Sequence, residues 1–146
     1  MILVLDIISS EKGSWLAVKN GQIIFFHSFN IDKGEDQSLL YLEKMLSKNK
    51  LKLHNFFSFI LLIKEASLTQ VKVFTTMANT LAWNFNWPIV AEYYFSATGG
   101  QENNMILNKA LKKLSKIKKF KAISAKYYRQ AEITISKKKA KYKISK

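Results

Sequence analysis

The sequence of 146 residues has no cysteine, which excludes disulfide bonds and thiolate metal sites. It has two histidines, His27 and His54, and they do not form a cluster of metal ligands. Neither a phosphate-binding P-loop nor a dinucleotide-binding glycine pattern is present. The sequence therefore predicts no metal, no cofactor and no catalytic residues, so we expect a protein that is not an enzyme.

Long hydrophobic runs are also missing. The longest, FFSFILLI at 56–63, is far shorter than the roughly 20 residues that span a bilayer. The apolar N-terminus is too short for the hydrophobic region of a signal peptide and has no basic start. These features predict a cytoplasmic protein without membrane contact.

Acidic residues are scarce in one part of the chain only. Residues 1–100 carry nine Lys against eight Asp or Glu, whereas residues 101–146 carry fifteen Lys or Arg against two Glu. The formal net charge of +14 therefore belongs almost entirely to the C-terminal part. Such a block attracts polyanions through its long-range field.

The first thirty residues predict three antiparallel strands, at 2–7, 14–19 and 22–29. Residues 2–7, ILVLDI, have the continuous apolar character of a central strand. Asn20-Gly21 separates the second and third strands and is typical of a type I′ turn, which needs positive φ at both positions.

Two helices and two further strands are predicted to follow. The first helix begins in the acidic residues 32–36 and ends at Asn49, and its buried stripe is Leu39, Leu42, Met45 and Leu46. Strands are predicted at 57–63 and 89–95. Between them lies a helix over 70–85 with Ser67 as its N-cap. Its predicted core face consists of Val71, Phe74, Met77, Ala78, Leu81, Ala82 and Phe85.

This order predicts an α/β fold with a mixed five-stranded sheet, because right-handed crossovers place the fourth and fifth strands parallel to the first. It is the ribonuclease H-like arrangement of actin-like ATPase lobes. The predicted lobe covers 1–96. A linker and a basic amphipathic helix occupy 97–130, with Asn104 as helix cap and the helix over 104–118. A basic tail with a short β-like ITI occupies 131–146.

The first 95 residues resemble the TsaB family, which takes part in making threonylcarbamoyladenosine in tRNA. ILVLDIISSEKGSWLAVKNGQII is similar to the family's opening strands, and KEASLTQVKVF occupies the place of a motif close to GPGSFTGLRVG. Ser67, Thr69, Val73 and Pro88 match the family pattern, and Lys72 stands in place of Arg. AKYYRQAEITISKKK is similar to the family's closing Tyr-x-Arg and AEIT-like stretch.

The central motif departs from the family at its glycines. The residues found instead are Lys64, Glu65, Ala66, Gln70 and Phe74, with Glu65 standing for the family's proline. Glycine lets a backbone approach phosphate closely, so this loop is predicted not to cradle phosphate. The chain is also shorter than two-lobe members, so most of the second lobe is missing.

The resemblance implies a non-catalytic partner subunit. In the family the 67–87 helix region contacts TsaD, the catalytic actin-like partner, or a second copy. Val73, Trp83 and Trp87 fall off the core stripe, and exposed aromatic residues commonly anchor interfaces. The predicted partner interface is Ser67, Thr69, Lys72, Val73, Thr76, Thr80, Trp83 and Trp87. The alternative is that a neighbouring segment covers these residues.

The basic C-terminal part predicts a second surface. Lysines contact phosphates without sequence preference, and interspersed Tyr and Arg stack on bases. The residues predicted to contact tRNA are Lys112, Lys113, Lys116, Lys119, Arg129, Lys137, Lys138 and Lys139. A solvated face or an acidic protein partner is the alternative.

Two other functions remain open from the sequence. One is a free-standing RNA-binding module on an actin-like lobe. The other is a divalent-metal nuclease, which would need converging carboxylates such as Asp6, Glu43 and Glu65. The simpler interpretation of Asp6 is a turn or cap carboxylate at the end of the first strand, beside Ser9 and Ser10, and Glu43 is predicted to face solvent.

Overall fold

A computed structural model describes residues 1–31, 37–94 and 102–126 of the chain. This part contains five strands, three α-helices and a 3-10 turn at Leu53–Asn55. The strands are β1 (Ile2–Ser9), β2 (Lys12–Lys19), β3 (Gln22–Asn30), β4 (Ser58–Ile63) and β5 (Ile89–Tyr93). The helices are α1 (Ser38–Lys48), α2 (Leu68–Asn84) and α3 (Glu102–Leu114).

The strands form one mixed sheet in the order β3-β2-β1-β4-β5. β1, β2 and β3 pair antiparallel, whereas β4 and β5 are parallel to β1. Asn20 and Gly21 between β2 and β3 have φ angles of 52° and 78°, as a type I′ turn requires. The predicted α/β fold and its antiparallel start are therefore confirmed.

Helices cover both faces of the sheet. Alternate residues of β1 point to opposite sides, so Leu3, Leu5 and Ile7 join a core beneath α1 and α2. Val4 joins a smaller core beneath α3, together with Leu107. α1 packs on β2 and β3, and α2 and α3 lie on opposite faces of β4 and β5. This arrangement explains why β1 and β4 are apolar on both faces.

The first helix begins at Ser38, later than predicted, and its first turn has no acidic residue. Trp15 Nε1 donates a hydrogen bond to the Ser38 carbonyl oxygen at 2.8 Å, and this contact sets the face that α1 turns to the sheet. Ser38, Leu42 and Met45 are buried as a result. Leu39 lies about 100° further around the helix and is exposed, so its assignment to the buried stripe was wrong.

Other predicted boundaries also shift. β4 begins at Ser58, and Phe57 before it is exposed. α3 begins at Glu102 and ends at Leu114, so Asn104 lies inside its first turn and is not its cap. The acidic segment 32–36, Phe95, most of the predicted break at 97–104 and the basic tail at 131–146 lie outside the described residues. In the part of the chain that is described, no helix is long and apolar enough to cross a membrane.

Candidate functional site

The start of α2 is held by a reciprocal capping box. Ser67 Oγ accepts a hydrogen bond from the Gln70 backbone N–H at 3.2 Å, and Gln70 Oε1 accepts one from the Ser67 N–H at 2.9 Å. Ser67 is therefore the N-cap, as predicted. Gln70 Nε2 also donates to the Ser10 carbonyl oxygen at 2.7 Å. The Gln70 side chain thus ties α2 to the β1–β2 turn, at a position where the TsaB motif has glycine.

The outward face of α2 consists of exposed residues at helical spacing: Thr69, Lys72, Val73, Thr76, Thr80 and Trp83. They fall within about 100° of one another around the helix axis. Trp83 is 70% exposed and Val73 39%, so both apolar side chains meet solvent. Thr80 Oγ1 donates to the Thr76 carbonyl oxygen at 2.9 Å, so a partner can cover this hydroxyl without leaving it unsatisfied.

Trp87 does not lie on this face, so the expectation that it is exposed like Val73 and Trp83 was wrong. It is only 5% exposed, and its ring stacks on Phe85 with centroids 4.7 Å apart. The cause is the end of α2, where Asn86 has a φ of 52° and the Trp87 N–H bonds back to the Ala82 carbonyl oxygen at 2.7 Å. This Schellman motif directs the second residue after the cap onto the last helical turn.

One side of α2 is bordered by a segment that follows α3, residues 120–125, which we call the strap. Phe120, Ile123 and Ala125 pack against the core beneath α1 and α2, although α3 lies on the other face. Asn79 of α2 holds the strap, because its Nδ2 donates to the Ile123 carbonyl oxygen and its Oδ1 accepts from the Ile123 N–H, both at 2.9 Å. Tyr93 of β5 donates to the Ser124 carbonyl oxygen at 3.1 Å.

Asn79→Ala is expected to release the strap and to lower the free energy of unfolding by about 1–3 kcal/mol, since both backbone groups of Ile123 lose their partner. Hydrogen exchange at the Ile123 amide should become faster in this variant. Asn84→Ala, at an exposed position of the same helix, is the control. Unchanged protection of Ile123 in Asn79→Ala would show that the amide does not hold the strap.

Asp6 lies within β1, which continues to Ser9, so its interpretation as a turn or cap carboxylate was wrong. It is 6% exposed and accepts a hydrogen bond from the Tyr94 hydroxyl at 3.1 Å. Burial raises the pKa of Asp6 to about 6, although the Tyr94 hydrogen bond and the charge of Lys64 act in the opposite direction. Ser14 lies opposite Asp6 on β2, and its buried hydroxyl has no hydrogen-bond partner among the described residues.

A second buried carboxylate, Glu92 on β5, faces α3. Its oxygens pair with Lys109, at 3.3 Å, and with Lys113. The two lysines are one helical turn apart, so together they fix α3 over β5. Lys113 was predicted to contact nucleic acid, and the structure places its ammonium group on Glu92.

The remaining predicted nucleic-acid contacts divide into two groups. Lys112, Lys116 and Lys119 are exposed on α3 and on the segment after it. Arg129, Lys137, Lys138 and Lys139 lie outside the described residues.

The carboxylates that a nuclease would use are not brought together. Asp6 is directed to the α3 side of the sheet, Glu43 is exposed on α1 as predicted, and Glu65 is exposed before α2. Within residues 1–31, 37–94 and 102–126, no group of three His, Asp or Glu side chains could hold a metal ion. His27 lies 5.8 Å from the Tyr41 ring, measured between centroids, and His54 is exposed in the 3-10 turn.

The contacts made by Asn79, the strap and Tyr94 are not evident from the sequence. Asn79 is one polar residue among several on α2, and nothing in its spacing indicates a bond to residue 123. Phe120 and Ile123 do interrupt a Lys-rich segment, and that interruption is the only sequence signal of the strap. Tyr94 belonged to a predicted strand, but its bond to Asp6 depends on the return of β5 beside β4.

Neither models of known protein families nor curated proteins match the chain significantly. Among solved structures, it is similar to YeaZ from Pseudomonas aeruginosa, with a TM-score of 0.54 and 20% identity over 63% of this chain and 43% of that one. It is also similar to an uncharacterized protein with similarity to peptidase YEAZ from Pseudomonas aeruginosa, with a TM-score of 0.51, 20% identity, and coverage of 63% and 42%.

The chain therefore spans less than half the length of either neighbour. The described residues of this chain form a mixed five-stranded sheet with helices on both faces. The described lobe has the fold of YeaZ, a TsaB protein, and the predicted α/β, ribonuclease H-like fold is confirmed.

Proposed function

We propose that this chain is a non-catalytic, TsaB-like partner subunit of the machinery that makes threonylcarbamoyladenosine in tRNA. It docks on a TsaD-like enzyme through the outward face of α2, and the catalytic residues and cofactors belong to that enzyme. The observation that carries the proposal is the exposure of Val73 and Trp83 on one face of a helix whose opposite face fills the core. The YeaZ-like fold supports it.

The chemistry of the face suits a helix-mediated contact. Trp83 is a large, rigid side chain of the kind that dominates binding energy at interfaces. The threonines around it are short, so a partner helix can approach α2 closely. The capping box and the strap hold α2 at both its start and its flank, so the face is organised before binding.

The test is co-purification with the TsaD of the same organism. Val73→Asp/Trp83→Asp is expected to weaken the complex at least about 100-fold, because each change places a charge in an apolar contact. Met105→Asp is the matched control, since Met105 is 72% exposed on α3, across the sheet. A complex that survives in the double variant, or a folded wild-type chain that forms none, would overturn the proposal.

An alternative function is RNA binding by the chain alone. The observation in its favour is the exposure of Lys112, Lys116 and Lys119, whose charges are available to phosphates. Tight binding of RNA without TsaD, falling steeply with salt and weakened by changing these three lysines to glutamine, would support it. The double variant on α2 would then bind RNA as well as the wild type.

A further inference from the structure

Among the described residues, β3 forms an edge of the sheet that lacks the usual protection against strand pairing. It is nine residues long, pairs only with β2 among the described strands, and its sequence QIIFFHSFN contains neither a charged residue nor proline. Three of its apolar side chains are exposed, namely Ile23 at 44%, Ile24 at 39% and Phe26 at 59%. Monomeric proteins protect such edges with charges, prolines or short strands, because unpaired backbone groups invite another strand.

The other edge of the same sheet, β5, has features that protect it against strand pairing. β5 has five residues, carries Glu92 and is flanked by the strap, to which Tyr93 donates a hydrogen bond. Within the described residues, one edge is therefore short, carries a charge and contacts the strap, whereas the other is long, uncharged and pairs with β2 alone. A sheet with one open edge can join a second sheet once, and the assembly then closes as a dimer without growing into a fibre.

Charge favours an identical strand as the occupant of the open edge. An acidic or basic partner finds no opposite charge on β3, but a second β3 meets it without repulsion. The rest of the lobe does not repel a second copy strongly, because residues 1–100 carry nine Lys and eight acidic residues and are therefore close to neutral. The strongly basic C-terminal part begins on α3, which packs on β4 and β5 at the far side of the sheet.

We propose that two copies of this chain pair through β3 in antiparallel orientation about a two-fold axis. The result is one continuous sheet of ten strands, five from each copy. The bulge between β2 and β3 lies at Ala17 and Val18, so Phe25 to Asn30 remain in regular register for pairing. Phe26, the most exposed of the three apolar side chains, lies close to the axis and contacts the second copy.

The dimer surface is separate from the outward face of α2, so the inference goes beyond the proposed function and does not depend on it. On the α1 side of the edge, Phe29 stacks on Tyr41 with centroids 5.2 Å apart, and Lys44 Nζ lies 4.9 Å from the Tyr41 ring. These contacts hold β3 against α1, which lowers the ordering cost of adding a strand.

Sedimentation of the full chain over the micromolar to submillimolar range tests the proposal. The wild type is expected to dimerise reversibly, and Phe26→Lys to raise the dimer dissociation constant at least about tenfold by placing like charges near the axis. Phe57→Lys is the matched control, because Phe57 is 62% exposed and lies away from β3. A wild-type chain that stays monomeric throughout would overturn the proposal.

Two further measurements separate this surface from the other candidates. Val73→Asp/Trp83→Asp should remain dimeric, and a dimer lost in that variant but kept in Phe26→Lys would place the contact on α2 and overturn the proposal. Hydrogen exchange of the β3 amides should slow as concentration rises. Exchange that is independent of concentration in a sample that dimerises would also contradict strand pairing.

Discussion

Asp6→Asn is expected to raise the free energy of unfolding by about 3 kcal/mol at about pH 7.5 and to leave it nearly unchanged at about pH 3.5. The pKa of Asp6 rises from 3.8 in the unfolded chain to about 6 in the fold, chiefly because burial penalises the carboxylate. Below the lower value both states are protonated, and Asp6 causes no loss of stability. As the pH rises to about 6 the unfolded chain ionises first, so stability falls, and above that it stays level.

Asparagine has nearly the shape of the protonated acid, and its oxygen can still accept the Tyr94 hydrogen bond. Urea unfolding of wild type and variant at both pH values gives the comparison. Glu43→Gln changes an exposed carboxylate to an amide and controls for net charge. A variant no more stable than the wild type near neutral pH would contradict the burial of an ionisable Asp6.

Trp15→Ala is expected to lower the free energy of unfolding by about 3–5 kcal/mol, enough to unfold much of the protein. Trp15 is fully buried, contacts Phe59 edge-on with ring centroids 6.1 Å apart, and donates the hydrogen bond that sets α1. Its removal leaves a cavity and takes away a buried hydrogen bond to the Ser38 carbonyl oxygen.

Trp83→Ala is the matched control, because the same substitution at a side chain 70% exposed is expected to change stability by less than about 0.5 kcal/mol. Thermal or chemical unfolding of the two variants measures the difference. Similar losses for both would mean that Trp83 is covered in solution, and that the outward face of α2 is not free in the isolated chain.

The two proposed surfaces are compatible in one assembly. In the two proposals, the outward face of α2 binds a TsaD-like partner and β3 at the edge of the sheet pairs with a second copy. An assembly that used both would contain two copies of this chain joined through their sheets, each carrying one enzyme. The Val73→Asp/Trp83→Asp and Phe26→Lys variants separate the contributions of the two surfaces.

Local patterns in the sequence predicted much of the fold. The Asn20-Gly21 turn, the Ser67 cap and the apolar runs of β1 and β4 express backbone and burial preferences that act within a few residues. The same patterns predicted the five strands in their order along the chain and the exposure of Val73 and Trp83 on α2. They failed at Leu39, because the rotation of α1 depends on the bond from Trp15, 23 residues away.

Only the tertiary structure decided what the unusual side chains do. In the sequence, Trp83 and Trp87 both lie outside the predicted core stripe of α2. The turn after α2 buries Trp87, whereas Trp83 remains exposed. The pKa of Asp6 is raised because the surrounding core buries its carboxyl group, and Asn79 acts by hydrogen bonding to the strap. Composition and hydrophobic periodicity determined the secondary structure and fold class of the lobe, because those signals act over a few neighbouring residues. The sites depended on the long-range packing that brings distant residues together.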